Sequence, residues 1–530
     1  MKESFDFIVV GSGFGGSVAA LRLAEKGYRV CVLEAGKRWH PKDFPKTNWE
    51  VRKFLWAPVI GCHGIQRIWL LKDFMGLGGA GVGGGSLVYA MVLMQPLDPF
   101  YRDPQWVELD PDWKATLAPH YQVAKKMLGV AQFPKITEAD KVLAEYAADI
   151  GRSDHFAPTE VGAFFGEPGV TVADPYFGGE GPERTGCDFS GACMIGCKTG
   201  AKNTLDKNYL YFAEKLGARI VPETLVTAIQ PDPKGGYLIN SRRATSVFTR
   251  DKQVWHARQV VVSAGTLSTL SLLLRCKQNG LLPNLSNRVG YKFRTNSEVL
   301  CGARAGNRDI KYCEGTAITS ILQVNDATSI EVTRYPEGSD VMGVLAQVLT
   351  DGGSKWGRML KFLYQCLSRP THFLKSVWIF GWASRSIILL VMQVYDNSLR
   401  IMLKRSWLMP WRWRLSSESP EGGIPTYIPE ANNAARAVAK KINGIPQGCV
   451  SEVLLNRPLS AHMLGGCPIS ATSDQGVVDK YGKVFGHEGL YIVDGSIMPA
   501  NLGVNPALTI LALAEHVMSA IPPKEKSGIQ

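Results

Sequence analysis

The sequence predicts an α/β fold, in which a discontinuous Rossmann-like domain is interleaved with an α+β domain built on a large mixed sheet. Two observations carry this prediction. A strand, a glycine-rich turn, a helix and a second strand follow one another over residues 7–34, and apolar strand-like segments with glycine turns return at residues 260–266 and 489–496. With 530 residues, of which 45% are hydrophobic and 20% charged, the chain has the length of about two or more domains with full cores.

The first turn has the form of a dinucleotide-binding site. It lies between the apolar run at residues 7–10 and helix-like residues 17–24, and it consists of Gly11, Ser12, Gly13, Phe14, Gly15 and Gly16. Glycine lets the backbone approach a pyrophosphate, whose charge then lies at the helix N-terminus. A second apolar run ends at Glu34, where a carboxylate suits hydrogen bonding to ribose hydroxyls. The alternative is the turn of an ordinary α/β domain.

A second glycine-rich segment occupies residues 76–86. Seven of the ten residues 76–85 are glycine, and apolar residues flank the segment on both sides. Glycine-rich backbone is entropically costly to order, so this composition predicts neither a helix nor an ordinary strand. Because flexible linkers are usually polar, we favour a close approach to a ligand over a flexible loop.

Three C-terminal segments carry more specific motifs: SAHMLGGC at residues 460–467, GLYIVDGS at 489–496 and GVNPALTI at 503–510. In order and spacing they resemble the glucose-methanol-choline (GMC) oxidoreductase family, and within it the bacterial cholesterol oxidases with non-covalent FAD. Residues 260–266 and 201–204 resemble the late strand of the FAD fold and the connection back into it. The resemblance spans nearly the whole chain.

The resemblance implies both a domain organisation and a set of cofactor contacts. An FAD-binding domain would comprise residues 1–45, 70–110, 200–295 and 460–525, and a substrate-binding domain residues 111–199 and 296–459. Besides the first turn and Glu34, the residues implied to contact FAD are Ala35, Gly83, Gly84, Gly85, Ser86, Ala264, Gly265, Asp494, Gly495, Asn505 and Pro506.

Three residues are expected to carry the chemistry. His462 stands in the family's HxLGG context, and histidine titrates near neutrality, which suits acceptance of a hydroxyl proton while hydride leaves for the flavin. Asn505, by resemblance, faces the flavin and the substrate oxygen, and Pro506 after it predicts a helix start with Asn505 as N-cap. Glu331 lies in a segment that resembles the strand carrying the isomerisation carboxylate. A half-buried glutamate there would have a raised pKa.

The resemblance therefore implies FAD-dependent oxidation of a 3β-hydroxysteroid to the ketone by hydride transfer to flavin, with Δ5 to Δ4 isomerisation. One alternative is a dehydrogenase of a steroid or another lipophilic alcohol that uses an acceptor other than oxygen. Another is a membrane-associated lipid-binding protein that retains FAD without turnover. The chain also departs from the secreted cholesterol oxidases at residues 89–91, where Tyr-Ala-Met replaces Asn-Gly-Gly.

Three cysteines lie close together in a glycine-containing loop: Cys187, Cys193 and Cys197. Similar spacing holds an iron–sulfur cluster in some GMC dehydrogenases, so these residues are candidate ligands of such a cluster. The alternative is that they are buried small side chains that bind nothing. A zinc site would need a fourth ligand, which the sequence does not make obvious.

Residues 354–414 depart from the even charge pattern of the chain. They contain eleven Lys or Arg and one acid, which is ten of the net twelve positive charges, together with six of the thirteen tryptophans. Residues 356–364 show helical spacing of apolar residues with basic residues between them, the composition of a helix in a membrane interface. The surface of a membrane is therefore the expected macromolecular partner. Nucleic acid is not expected, because no nucleic-acid motif accompanies the patch.

No membrane-spanning helix is expected, because Arg385 interrupts the apolar residues 376–395 and residues 386–394 read as a short buried strand. The N-terminus lacks the pattern of a signal peptide, and an odd number of mostly isolated cysteines favours a reducing compartment. The expected location is the cytoplasm, peripherally on the inner face of the membrane. The substrate is expected to be a lipophilic small molecule.

Overall fold

The computed structural model describes residues 4–246, 251–406, 411–420 and 423–525. Its strands are β1 (Ser4–Val10), β2 (Val30–Leu33), β3 (Trp56–Ala57), β4 (Cys62–His63), β5 (Gln66–Leu70), β6 (Met75–Gly79), β7 (Ala131–Gln132), β8 (Phe156–Pro158), β9 (Glu160–Val161), β10 (Thr171–Val172), β11 (Arg184–Thr185), β12 (Arg219–Val221), β13 (Thr224–Pro231), β14 (Tyr237–Arg243), β15 (Gln253–Val262), β16 (Val299–Ala305), β17 (Ile318–Asn325), β18 (Thr328–Thr333), β19 (Ala346–Val348), β20 (Ser386–Gln393), β21 (Arg400–Arg405), β22 (Trp413–Glu418), β23 (Gly444–Cys449), β24 (Leu459–Ser460) and β25 (Leu490–Ile492).

The α-helices of the described residues are α1 (Phe14–Glu25), α2 (Val51–Phe54), α3 (Trp113–Met127), α4 (Glu138–Asp149), α5 (Tyr209–Lys215), α6 (Thr266–Gln278), α7 (Lys355–Ser368), α8 (Pro370–Val377), α9 (Trp382–Arg385), α10 (Pro429–Lys441), α11 (Val450–Val453) and α12 (Ala507–Ser519). Within the described ranges no helix is long and apolar enough to cross a bilayer.

The first large sheet is the Rossmann-like core. Its strands run in the order β12-β2-β1-β15-β14-β13, and β25 also pairs with β15. The strands β2, β1, β15 and β25 are parallel neighbours, and β13 and β14 add antiparallel pairs. Continuous apolar runs form these central strands because helices cover both faces of such a sheet. The predicted strand–turn–helix–strand start of the chain is confirmed as β1, α1 and β2.

The second large sheet has the order β19-β23-β16-β20-β18-β17-β8, and its described pairs are antiparallel. Alternate residues of its strands face opposite sides. Ile330 and Val332 of β18 belong to a core that also contains residues of α4 and α10. Thr333 of β18 and Leu390 of β20 face a cavity between the two sheets. The α/β class with two interleaved sheet regions is thus confirmed.

The second glycine-rich segment does not follow the prediction, because its first half is a strand. β6 pairs parallel with β24 and antiparallel with β5. A Cβ on Gly76 would lie 2.6 Å from Met463 Sδ, and one on Gly79 would lie 2.5 Å from the carbonyl oxygen of Gly84. Strand pairing uses backbone groups, so a strand whose neighbours approach this closely tolerates glycine despite its entropic cost.

The basic region of the sequence is divided among several elements. The helix predicted over residues 356–364 is confirmed as α7, and the predicted buried strand is confirmed as β20, at the middle of the second sheet. β21 and β22 form a separate hairpin. Trp407, one of the six tryptophans, lies outside the described residues. Charges that cluster along the chain therefore belong to more than one surface.

Candidate active site

The backbone of the turn after β1 lies very close to the backbone at the ends of β15 and β25. Gly11 has φ of +98°, and a Cβ there would lie 2.3 Å from the Ser263 carbonyl oxygen. A Cβ on Gly15 would lie 1.6 Å from the carbonyl oxygen of Val493, whereas one on Gly13 would meet nothing within 4 Å. Gly13 therefore faces open space, where backbone can approach a phosphate. No described side chain caps the N-terminus of α1, and its first turn holds no acid, which favours an anionic ligand.

Glu34 lies at the end of β2 beside this turn. Its carboxylate accepts hydrogen bonds from Ser12 N at 3.0 Å, Ser12 Oγ at 2.6 Å and Gly36 N at 2.8 Å. Burial raises the pKa of Glu34, and these hydrogen bonds oppose that rise. Ser12 Oγ also accepts from Gly83 N at 3.1 Å, which ties the first glycine turn to the second.

One continuous cavity runs from this turn to the second sheet. The implied cofactor residues that line it are Gly11, Ser12, Gly13, Phe14, Gly15, Glu34, Ala35, Gly84, Gly85, Ala264, Gly265, Asp494, Gly495, Asn505 and Pro506. Three others do not line it. Gly16 has no room for a side chain, because a Cβ there would lie 2.1 Å from Gly11 O. Gly83 N donates to Ser12 Oγ, and Ser86 Oγ donates to Gly83 O at 2.7 Å and accepts from Leu205 N. These three shape the turns that the others present.

Asp494 holds the third glycine-containing turn in place. Its carboxylate accepts from Gly265 N at 3.0 Å, from Thr269 Oγ1 at 2.6 Å and from Ser496 N at 2.9 Å. Burial raises its pKa. Gly265 has φ of +82° and no neighbour within 4 Å of a Cβ position, so the turn presents bare backbone to the cavity. Residues from four distant parts of the chain thus form an elongated, backbone-lined site that fits FAD.

His462 lies at the other end of the cavity, directly after β24. Its Nδ1 is 3.0 Å from Oε2 of Glu298, a fully buried residue that precedes β16. Glu298 also accepts from Ser460 Oγ at 2.9 Å and from Ala461 N at 3.2 Å. Glu298 is not among the residues predicted from the sequence. Its one local signal is its position directly before the apolar strand β16, whereas Glu331 is predicted from the resemblance of its segment to a strand of the family.

Asn505 lies in the loop before α12 and lines the cavity. Within the described structure its Oδ1 makes no hydrogen bond although it is buried. The prediction that Asn505 caps the helix is wrong. α12 begins at Ala507, Pro506 occupies the cap position, and no side-chain cap bond forms there. The Asn505 amide lies instead beside Glu331, so it is available to the cavity rather than to the helix end.

Glu331 lies on β18 between β17 and β20, opposite Ile321 and Leu390. It is fully buried rather than half-buried as expected, because β18 is an interior strand. Burial raises its pKa to about 8, the charge of Glu298 adds to the rise, and the Asn505 amide partly offsets it. Neither of its oxygens makes a hydrogen bond of good geometry to a described residue. Its neighbours Thr333 and Asn505 line the cavity, whereas Glu331 lies just behind that surface.

Tyr89, at the departure from the secreted enzymes, also lines the cavity. Its hydroxyl donates to Asn203 O at 3.3 Å, and its ring meets the edge of Phe14. Buried Lys202 donates to three carbonyl oxygens, those of Leu87, Tyr89 and Cys193, at 2.8–3.0 Å. This lysine fixes the Tyr89 segment against the cysteine loop.

The three-cysteine loop does not form a metal site. Among the described residues no group of three or more His, Cys, Asp or Glu could hold a metal ion. Cys193 Sγ accepts from Ala317 N at 3.3 Å, and Cys197 Sγ lies 3.2 Å from Thr199 Oγ1. Burial raises the pKa of Cys187 to about 12 and that of Cys193 to about 11. The predicted iron–sulfur ligation is therefore not supported.

Comparison with known proteins gives both family matches and similar full-length sequences. The sequence matches the family GMC oxidoreductase over residues 182–293 and 435–514, and an NAD(P)-binding Rossmann-like domain over residues 9–39. A cholesterol oxidase of Mycobacterium tuberculosis is 46% identical over 99% of this chain and 92% of its own length. A cholesterol oxidase of Acinetobacter baumannii is 42% identical over 98% of this chain and 95% of its own.

Solved structures extend the likeness at the level of the fold. Pyridoxine 4-oxidase from Mesorbium loti aligns with a TM-score of 0.60 at 14% identity, over 97% of this chain and 98% of its own. Formate oxidase aligns with a TM-score of 0.56 at 14% identity, over 98% of each chain. The fold, the site and the sequence matches define an FAD-dependent alcohol oxidoreductase. The chain belongs to the GMC oxidoreductase family.

Proposed function

We propose that this protein oxidises the 3β-hydroxyl group of a cholesterol-like sterol to the ketone, with non-covalently bound FAD. The observation that carries the proposal is the position of His462 at the apolar end of the FAD cavity. The walls there include Leu300, Leu345 and Leu390, which suit a hydrocarbon ring system. The two relatives at 46% and 42% identity, both named cholesterol oxidase, support this substrate class.

The residues at the apolar end of the cavity have separate roles in alcohol oxidation. His462 accepts the hydroxyl proton as the alcohol becomes a ketone. The Asn505 amide donates a hydrogen bond to the oxygen on which negative charge develops. Bound FAD supplies the acceptor for the hydride that leaves the carbinol carbon. The apolar walls exclude water, which strengthens both polar contacts.

Isomerisation is assigned to Glu331. The ionised carboxylate takes a proton from C4 of the Δ5-ketone and returns it to C6, while the double bond moves from C5–C6 to C4–C5. The proton is conserved and no electrons are exchanged with another group. A buried carboxylate whose pKa is raised to about 8 is basic enough to take a proton next to a carbonyl.

Anaerobic reduction of the holoenzyme tests the oxidation. Cholesterol should bleach the flavin absorbance under nitrogen, and air should then restore it. Absence of bleaching by cholesterol would overturn the proposal and would agree with a lipid-binding protein that retains FAD. Bleaching without recovery in air would favour the dehydrogenase alternative, in which another acceptor removes the electrons. Release of the flavin by acid precipitation checks that FAD is not covalently attached.

We propose further that α7 and α8 form a surface for an anionic membrane. The apolar residues of this surface, all exposed, are Trp356, Leu360, Leu363, Tyr364, Leu367, Leu374, Trp378 and Phe380. On α7 they follow helical spacing along one face, and Leu367 is 82% exposed. Exposed apolar side chains in this number are unusual on a monomer surface that contacts only water.

The charges of this surface fit the same partner. The chain has no acid between Asp351 and Asp396, whereas Lys355, Lys361 and Lys375 are exposed beside the apolar residues. Arg358 does not contribute, because it is buried and donates to Thr426 O at 2.7 Å. Anionic headgroups attract such a basic apolar helix. The inner face of a cytoplasmic membrane is the location we propose for the protein.

The surface lies close to the substrate end of the cavity. Both α7 and α8 pack against β19, whose first residue Ala346 lines the cavity together with Met342 and Leu345. A sterol leaving the bilayer at this surface would therefore have a short path into the apolar end of the cavity. This position supports the choice of a membrane-soluble substrate.

Vesicle sedimentation tests the membrane surface. The holoenzyme should bind vesicles of phosphatidylserine and phosphatidylcholine, and the double variant Trp356→Ala, Leu367→Ala should bind about tenfold or more weakly. Trp411→Ala is the matched control, because Trp411 is 76% exposed within the same basic segment but outside α7 and α8. Unchanged binding of the double variant, or loss on Trp411→Ala alone, would overturn the assignment. Raised salt should weaken binding.

A further inference from the structure

Glu298 has no role in the function proposed above, yet it is in direct contact with the base. Its Oε2 lies 3.0 Å from Nδ1 of His462, and both residues line the cavity. The other neighbour of this nitrogen is Asn296, whose Nδ2 is 3.5 Å away and already donates to the carbonyl oxygen of Val504 at 2.8 Å. The shorter contact therefore determines the proton on Nδ1. Glu298 Oε2 also accepts a hydrogen bond from Ser460 Oγ, and an oxygen that accepts from Nδ1 as well makes that nitrogen the donor.

The backbone directly before Glu298 has an unusual conformation that places its side chain against His462. Asn296 and Ser297 have φ of +58° and +45°, two successive left-handed residues that are not glycine. Such backbone is costly and clusters at functional sites. Asn296 Oδ1 accepts from Leu502 N at 2.8 Å and from Gly503 N at 3.1 Å, next to the loop that carries Asn505. The turn thus connects the segments that hold the two polar groups expected to contact the substrate.

We propose that Glu298 is a positioning residue, which holds the proton on His462 Nδ1 and leaves Nε2 as the unprotonated acceptor facing the substrate hydroxyl. The inference rests on the proposed function of His462 as the base. A neutral imidazole accepts a proton at one nitrogen only, so the partner of the other nitrogen decides whether the ring can act. When Nε2 takes the hydroxyl proton, the Glu298 carboxylate also stabilises the imidazolium that forms.

Glu298→Gln separates this role from a purely structural one. The glutamine carbonyl oxygen can still accept from Ser460 Oγ and Ala461 N, but the charge opposite Nδ1 is lost. We expect the rate of anaerobic flavin reduction to fall about tenfold to a hundredfold with little change in KM. The acid limb of the kcat/KM profile should move to lower pH, because a neutral amide no longer favours the protonated ring. Two further buried carboxyls interact electrostatically with Glu298, namely Glu331 on β18 and Glu452 on α11.

Two control variants accompany Glu298→Gln: one keeps the carboxylate at residue 298, and the other removes a carboxylate at a different buried position. Glu298→Asp keeps the charge and should leave the acid limb in place. Glu452→Gln removes another fully buried carboxyl, which accepts from Leu300 N and does not touch His462. It should leave both the reduction rate and the acid limb unchanged. An acid limb that Glu298→Gln leaves in place, or that Glu452→Gln moves equally, would overturn the proposal.

A spectroscopic measurement on the unmodified holoenzyme is independent of the substrate. Labelling with ¹⁵N-histidine, with His462→Gln to assign the signals, should show a protonated Nδ1 and an unprotonated Nε2 for His462 above neutral pH. The opposite tautomer would overturn the proposal even if Glu298→Gln failed to fold. If cholesterol failed to bleach the flavin, the sterol proposal would fall, whereas this tautomer would still report on Glu298.

Discussion

At the scale of single residues, Glu331 should be separable from the oxidation chemistry. Glu331→Gln should still bleach the flavin with cholesterol, because His462 and Asn505 are unchanged. Its product should be the unconjugated Δ5-ketone, recognised by the missing ultraviolet absorbance of the conjugated enone. Glu452→Gln should form the conjugated product as the unaltered enzyme does. Conjugated product at the normal rate from Glu331→Gln would contradict the assignment.

The pH dependence of Glu331 has a defined sign. Burial raises its pKa from 4.5 to about 8, so the folded chain holds a proton that the unfolded chain releases. Its contribution to stability is therefore present below about pH 4.5 and is lost as pH rises through about 8. The ratio of isomerisation to oxidation should rise over the same upper range, because only the ionised form takes the C4 proton. Thermal unfolding should place Glu331→Gln above the unaltered protein at high pH and near it at low pH.

At the scale of elements, substitution of two glycines in the turn after β1 should have different effects, one on FAD binding and one on stability. Gly13→Ala adds a Cβ that meets nothing within 4 Å, so the fold should be retained while FAD binds more weakly. Gly15→Ala places a Cβ 1.6 Å from Val493 O and should lower the unfolding temperature of the protein itself. Flavin fluorescence titration and thermal unfolding without FAD distinguish the two outcomes. Equal loss of stability in both variants would contradict this reading of the turn.

Local sequence patterns are enough to predict some of the secondary-structure elements. Apolar periodicity and glycine positions predict β1, α1, β2, α7 and β20. The prediction that the second glycine-rich segment forms no ordinary strand is wrong for β6, because the pairing of β6 with β5 and β24 depends on partners that its own composition does not reveal. α12 begins one residue later than the sequence predicts, with Pro506 rather than Asn505 at the cap position.

At the scale of the whole molecule, the site is assembled from segments that are far apart in sequence. The His462–Glu298 contact joins the strand region of β24 to that of β16, so no local pattern could reveal it. Residues 354–414 form one basic region in the sequence. In the folded chain they do not form one surface, because Arg358 is buried and β20 lies inside a sheet. Sequence motifs identify individual candidate residues, whereas the fold shows which residues are in contact. The domain boundaries stay a prediction.

Because four segments meet around the cavity, FAD should contribute to the stability of the whole protein. A ligand that binds the folded chain stabilises it by about 2.7 kcal/mol at a concentration a hundred times its Kd. Removal of FAD should therefore lower the unfolding temperature by several degrees, and added FAD should restore it. AMP, which lacks the flavin, should restore less. An unfolding temperature unaffected by FAD would contradict the assembly of this site around the cofactor.

The N-terminus of α1, which no described side chain caps, has a consequence for the living cell. A newly made chain that has not met its cofactor lacks the stabilisation that FAD binding gives, so a larger fraction of it should be unfolded and open to quality-control proteases. Vitamin B2 nutrition would in this way set the abundance of the enzyme as well as the fraction that is active. Starvation for riboflavin should reduce the amount of protein recovered from cells before any change in transcription.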